Sequence, residues 1–201
     1  MRKRILVALY YLLLACFVYS ESVTDYFPTK LGDTSIYNTT DIVSGKLYIR
    51  ESQFIEQTAI GGFPGETLIL IKTLNEYGSS SKIYSITDDR VALVLSEDIF
   101  GKQRAYQPYP VVFKFDGSWS NNTDSDEYDE YQAETGSCTV NGIQYSDCIV
   151  ITKFIYLSGK VFGKEISYYA KEIGLVFQKR IDSMGIESNI KTYLVSYSRG
   201  N

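Results

Sequence analysis

Residues 145–178 read YSDCIVITKFIYLSGKVFGKEISYYAKEIGLVFQ, and they decide the fold class. Three runs of β-branched and aromatic residues are separated by Ser158-Gly159-Lys160 and by Ala170-Lys171-Glu172. Such side chains fit a pleated, half-buried surface, and short turn-forming breaks between such runs predict consecutive antiparallel strands. The stretch speaks about architecture and carries no chemistry of its own.

The totals point the same way. The chain has 201 residues, enough for one domain with a real core. It holds 18 Tyr, 10 Phe and one Trp, a composition that favours strands over helices. With no His, it lacks the commonest general base and the commonest metal ligand. The formal charge is −4, and without Arg2, Lys3 and Arg4 it falls to −7, from 17 basic and 24 acidic residues. A surface of that sign disfavours nucleic acid as a partner, because phosphate binding needs Lys and Arg.

The first residues read as an address. MRKR opens the chain and an apolar run from Ile5 to Tyr19 follows. That run is short for a membrane-spanning helix and suits a secretory signal. Two processing routes are written into it. Leu13-Leu14-Ala15-Cys16 resembles a lipobox, in which Cys16 is lipidated and becomes the new N-terminus. Val18-Tyr19-Ser20 fits signal peptidase cleavage before Glu21. Residues 1–20 are therefore a signal segment, helical while it lasts, and residues 21–201 a single all-β domain.

Within that domain, Gly32-Asp33 marks a turn before the first strand. Strands are expected over 46–57, 66–75, 82–87, 90–97, 109–115 and 189–197, with turns at 78–81 and at Asp88-Asp89. Gly61, Gly62, Pro64 and Gly65 make 59–65 a loop; no GK[ST] or helix pattern follows, as a phosphate loop requires. Residues 120–134, SNNTDSDEYDEYQAE, read as an acidic polar loop. Asn141-Gly142 predicts a type I′ hairpin turn. Outside the signal no apolar 3.6-residue period persists, so the expected fold is all-β: about ten strands in an antiparallel sheet curved into a half-barrel or clasp.

Three pieces carry a family resemblance. Tyr26-Phe27-Pro28-Thr29-Lys30-Leu31-Gly32-Asp33 resembles the YFPLKVGN-type start of a widespread group of bacterial exported β proteins, many of them candidate lipoproteins. Tyr145-Ser146-Asp147-Cys148-Ile149-Val150-Ile151 is similar to that group's F-x-(D/N)-C-(I/L)-x-V strand, and residues 168–176, YYAKEIGLV, to its YYA-x-GVGLVK segment. The chain departs at 34–36, where the group usually has a Trp, and at Glu172, where it often has Gly. The resemblance implies an envelope-located antiparallel β domain of unknown function and brings no catalytic residues.

The residues themselves assign no catalytic, cofactor-binding or metal site. Asn122, Asp124 and Asp126 match three positions of a calcium-binding loop, but Glu127 stands where the sharp turn needs Gly and Ala133 where the bidentate Glu belongs. Asp88-Asp89, Glu97-Asp98 and Glu165 with Glu172 sit at turns or in polar alternation, where acids are expected without any acid–base role. Ser118 and Ser137 have no base to activate them. Cys138 and Cys148 flank the Asn141-Gly142 turn. A two-residue turn sets Cys138 opposite Tyr145, so a disulfide needs a bulge at Ser146-Asp147; the alternative is two buried free thiols. The many tyrosines either cover sheet faces or line a concave binding surface.

The expected function is a non-enzymatic exported protein of the periplasm or cell surface, reaching a membrane only through its signal or a lipid on Cys16. Its concave aromatic face binds a lipid, another apolar ligand or an envelope protein. The alternative is an assembly role through an exposed edge strand.

Overall fold

Thirteen strands follow one short 3-10 turn in the computed structural model, which describes residues 22–27, 32–41, 46–58, 67–75, 77–106, 109–122 and 126–199. Residues 1–20, read above as a signal segment with Cys16, and the glycine-rich stretch 59–65 lie outside the described residues. The 3-10 turn is Val23–Asp25. The strands are β1 (Thr34–Asp41), β2 (Lys46–Thr58), β3 (Thr67–Asn75), β4 (Gly78–Ile86), β5 (Arg90–Glu97), β6 (Gln103–Ala105) and β7 (Val111–Lys114). Then come β8 (Gly117–Asn122), β9 (Glu127–Val140), β10 (Ile143–Leu157), β11 (Lys160–Ala170), β12 (Gly174–Asp182) and β13 (Glu187–Ser198). All are antiparallel to their neighbours in one sheet, ordered β6-β5-β4-β3-β2-β1-β13-β12-β11-β10-β9-β8, with β7 also on β5.

The opening stretch forms β10, β11 and most of β12, as its composition demands. Asn141 and Gly142 have φ of 50° and 79°, and Ser158 and Gly159 of 51° and 73°. Positive φ at both central residues matches the twist of the flanking strands. Glu172, where the resembled group often has Gly, has φ 64°, a conformation that costs a non-glycine residue about 1–2 kcal/mol.

Two expectations are corrected. Residues 78–81 open β4 instead of turning, because Asn75 pairs with Gly78 and the turn lies between them. The acidic segment 120–134 is mostly strand: β8 ends at Asn122 and β9 begins at Glu127. Its buried Tyr131 and Ala133 alternate with exposed polar residues, so the acids occupy the wet side of a real strand.

The sheet curls until its two ends meet. Ile69, Ile86, Val91 and Phe113 from β3, β4, β5 and β7 share a buried cluster with Tyr131, Ala133, Ile149 and Ile151 from β9 and β10. The N-terminal segment fills the middle: Val23, Tyr26 and Phe27 are buried in that cluster. Phe27 meets Tyr84 and Phe113 edge-on, with centroids 5.4 and 6.3 Å away. Val23 N–H donates to the Asp88 carbonyl, and Glu172 N–H to that of Asp25, so the plug is clamped between the β4–β5 and β11–β12 turns.

No backbone ladder joins β7 to β8. Instead the Asn121 amide faces Val111. Its Oδ1 accepts from Val111 N–H at 3.0 Å, and its Nδ2 donates to the Val111 carbonyl at 2.8 Å. Trp119 Nε1 donates to the same carbonyl at 2.9 Å. A side chain thus makes the two bonds a neighbouring strand would make, and the seam is bridged without closing the sheet.

The opposite face of β10 and β11 carries a second cluster. Ile149 pairs with Tyr169 on the inner face, while Cys148 pairs with Ala170. Cys138, Val140, Cys148, Ala170 and Val176 are buried together there. A register shift between Tyr145 and Cys148 brings Cys148 level with Gly136, and a disulfide joins Cys138 to Cys148 with their Cα atoms 5.9 Å apart.

Candidate functional site

Above the plug, the inner face leaves a cleft of about 480 Å³. Phe27 forms part of its wall, and the strands supply the rest by alternation. One side comes from β4 to β6 and the residue after it, and offers Lys82, Arg104, Tyr84 and Tyr106. The other comes from β9 to β11 and offers Glu127, Asp129, Lys153 and Glu165, with Tyr131 and Tyr169 beneath. Asp129 is inward because it has the parity of Tyr131 and Ala133; Lys153 has that of Ile149 and Ile151.

Local contacts order these groups. Lys153 Nζ lies 2.8 Å from Asp129 Oδ2 and 5.8 Å from the centre of the Tyr131 ring. Tyr131 stacks on Trp119 with an interplanar angle of 8°. Burial, then the Asp129 charge, push the Tyr131 hydroxyl well above the ordinary tyrosine pKa, so it stays protonated and able to donate. Gln178 Nε2 donates to Ser167 Oγ at 3.0 Å. On the other side Ser96 and Tyr106 share a hydroxyl hydrogen bond of 3.2 Å, and the Arg104 guanidinium lies 5.0 Å from the Tyr106 ring centre.

The cleft therefore presents cations from one half of the sheet and mainly carboxylates from the other, over an aromatic base. It is more polar than the apolar pocket the tyrosine count suggests. Its chemistry is recognition by hydrogen bonds, charge and ring stacking.

The acids singled out in the sequence fall in different places. Glu165 lines the cleft, whereas Glu172 sits in the β11–β12 turn beside the plug, paired with Arg199 at 2.7 Å. Glu97 accepts from Gln103 Nε2 at 2.8 Å. Asp89 accepts from the Thr87 hydroxyl at 2.6 Å. Asp126 is exposed, and Asp124 and the side chain of Asn122 lie outside the described residues. Among the described residues no three His, Cys, Asp or Glu side chains gather to hold a metal ion. Sequence reasoning missed Lys82, Arg104, Asp129 and Lys153. The only signal for them is strand parity, which the acidic composition of 120–134 conceals at Asp129.

The sequence matches no family model and no curated protein. Solved structures do resemble the fold. One is a candidate lipoprotein from Parabacteroides distasonis, with a TM-score of 0.52 at 15% identity over 86% of this chain and 97% of that one. Another is a candidate exported protein with YmcC-like fold from Bacteroides fragilis, with a TM-score of 0.49 at 11% identity over 87% of this chain and 99% of that one.

Proposed function

We propose that this chain is an exported, non-enzymatic cell-envelope protein that holds a ligand in the cleft between its two half-sheets. The observation that carries the reading is the cleft itself: facing cations and carboxylates over Tyr84, Tyr131 and Tyr169. Such a site fits a small molecule with a polar, charge-bearing part and a flat or apolar part for the rings. Export is supported by the basic head and apolar run of residues 1–20, and by a fold shared with a candidate lipoprotein. The edge-pairing alternative has less to stand on. The sheet's edge strands β6 and β7 span 3 and 4 residues, and the β8 edge is engaged by Asn121 through Val111.

Trp119 is the only tryptophan and it stacks on a cleft wall, so its emission reports occupancy. Protein purified from its own envelope and protein unfolded, stripped and refolded should differ in Trp119 emission. Adding back the stripped extract should restore the first spectrum in the wild type and not in Arg104→Glu. Identical spectra throughout would dismiss the cleft as a binding site. Export through lipidation is tested separately, by incorporation of labelled fatty acid into the wild type and Cys16→Ser; equal label in both would end that route.

A further inference from the structure

The two ends of the curled sheet differ in their surface. Antiparallel pairing places the β3–β4, β5–β6, β10–β11 and β12–β13 turns at one end, away from the plug, which contacts the β4–β5 and β11–β12 turns. Eleven large apolar side chains are exposed among the described residues, and nine of them lie at or beside those four far turns. The most exposed are Phe100 at 88%, Met184 at 77% and Phe162 at 62%. Only Ile143 and Val195 lie elsewhere. Apolar residues scattered singly over a surface need no explanation, but nine of eleven gathered at one end do.

Two of these turns share one construction. Asp98-Ile99-Phe100-Gly101-Lys102 and Asp182-Ser183-Met184-Gly185-Ile186 each begin with an Asp whose Oδ1 accepts two backbone N–H groups. Asp98 accepts from Phe100 and Lys102, both at 2.9 Å. Asp182 accepts from Met184 and Ile186, both at 2.9 Å. In each, the glycine N–H donates back to the Asp carbonyl, at 3.0 and 3.1 Å. The glycines have φ of 77° and 80°. Each turn carries its most exposed apolar side chain, Phe100 or Met184, at the apex, beside backbone N–H groups bonded inside the turn.

We propose that this end docks on a lipid surface, with Phe100, Met184 and Phe162 entering the boundary between headgroups and acyl chains. Three observations favour lipid over a protein partner. The apices are separate points on different turns, which suits a deformable layer better than a pre-shaped protein face. Around Phe100 and Met184 the turn N–H groups are already bonded internally, which lowers the cost of leaving water. Lys102 and Lys160 stand two residues from Phe100 and Phe162, within reach of headgroup phosphates, while the acids of these turns are engaged: Asp98 and Asp182 accept from backbone N–H groups and Glu187 is bridged by Lys179 and Lys191. Ser22, which caps the 3-10 turn of the plug, lies at the opposite end. This contact is independent of what fills the cleft.

The test uses the full chain and vesicles of phosphatidylethanolamine and phosphatidylglycerol with brominated acyl chains. Tryptophan is placed singly by Phe100→Trp, Met184→Trp and, at the other end, Ile143→Trp, with the Trp119 signal of the wild type subtracted. Quenching at positions 100 and 184 but not at 143 is expected. Quenching at Phe162→Trp should fall at least about tenfold in apparent affinity when Phe100→Ser and Met184→Ser are added, since each removes one large buried apolar group. All these sites are exposed, so an unchanged circular dichroism spectrum controls for folding. Equal quenching at 143, or none at the apices, overturns the proposal. So does a concentration-dependent dimer without vesicles that the double serine variant abolishes, which would assign the end to self-association.

Discussion

Individual residues show where backbone geometry leaves no room and where charge is concentrated. Gly163 pairs with Asp182 beside the bulge at Ile155, and a Cβ there would lie 2.9 Å from the Ile181 carbonyl oxygen. The obstacle is backbone, which cannot swing aside. Gly163→Ala should therefore cost about 1–3 kcal/mol in urea unfolding, the usual range for overpacking, and an unchanged midpoint would show that the strands slide apart freely. Glu187 is bridged by Lys179 and by Lys191. The Lys179 hydrogen bond first, then that from Lys191, lower its pKa from 4.5 to about 2. Because the folded value lies below the unfolded one, the contribution is whole above pH 4.5 and is lost as pH falls towards 2. A carboxyl NMR titration should place the Glu187 midpoint near 2; a midpoint near 4.5 would mean the bridges do not form in solution.

Elements show how much of the fold was legible in the sequence. The hairpins were, because their turns are chemically marked: Asn141-Gly142 and Ser158-Gly159 both take the positive φ their types invite. β9 was not, because Asp129 and Glu130 look like loop residues until Tyr131 and Ala133 are seen to be buried between polar neighbours. The bulge at Ser146-Asp147 that a Cys138–Cys148 bridge requires is present in the register. Replacing both cysteines by serine should lower stability by about 2–3 kcal/mol for so short a loop, read as a shift in the urea midpoint without a change in slope. The seam offers a second measurement at this scale. Asn121→Leu leaves the Val111 N–H without its partner, which costs about 1–3 kcal/mol where water cannot replace it. Amide exchange at Val111 should accelerate; unaltered exchange would mean the seam is held by other contacts.

The whole molecule is organised by pairings that no local pattern announces. Thr39 and Thr192 share a hydroxyl hydrogen bond of 3.0 Å across 153 residues, joining the two halves through β1 and β13. The curled, antiparallel all-β class followed from composition, but the meeting of the sheet ends at Asn121 and the plugging of the interior by Val23, Tyr26 and Phe27 did not. Those features depend on which distant strands face one another. The same is true of the cleft, whose cations and carboxylates come from opposite halves of the sheet. The native mass spectrum of the protein purified from its own envelope tests that site most directly. A discrete small-molecule mass should accompany the wild type and vanish in Arg104→Glu and Lys153→Ala, both folded. A ligand-free wild type, or a mass retained equally by both variants, would contradict it.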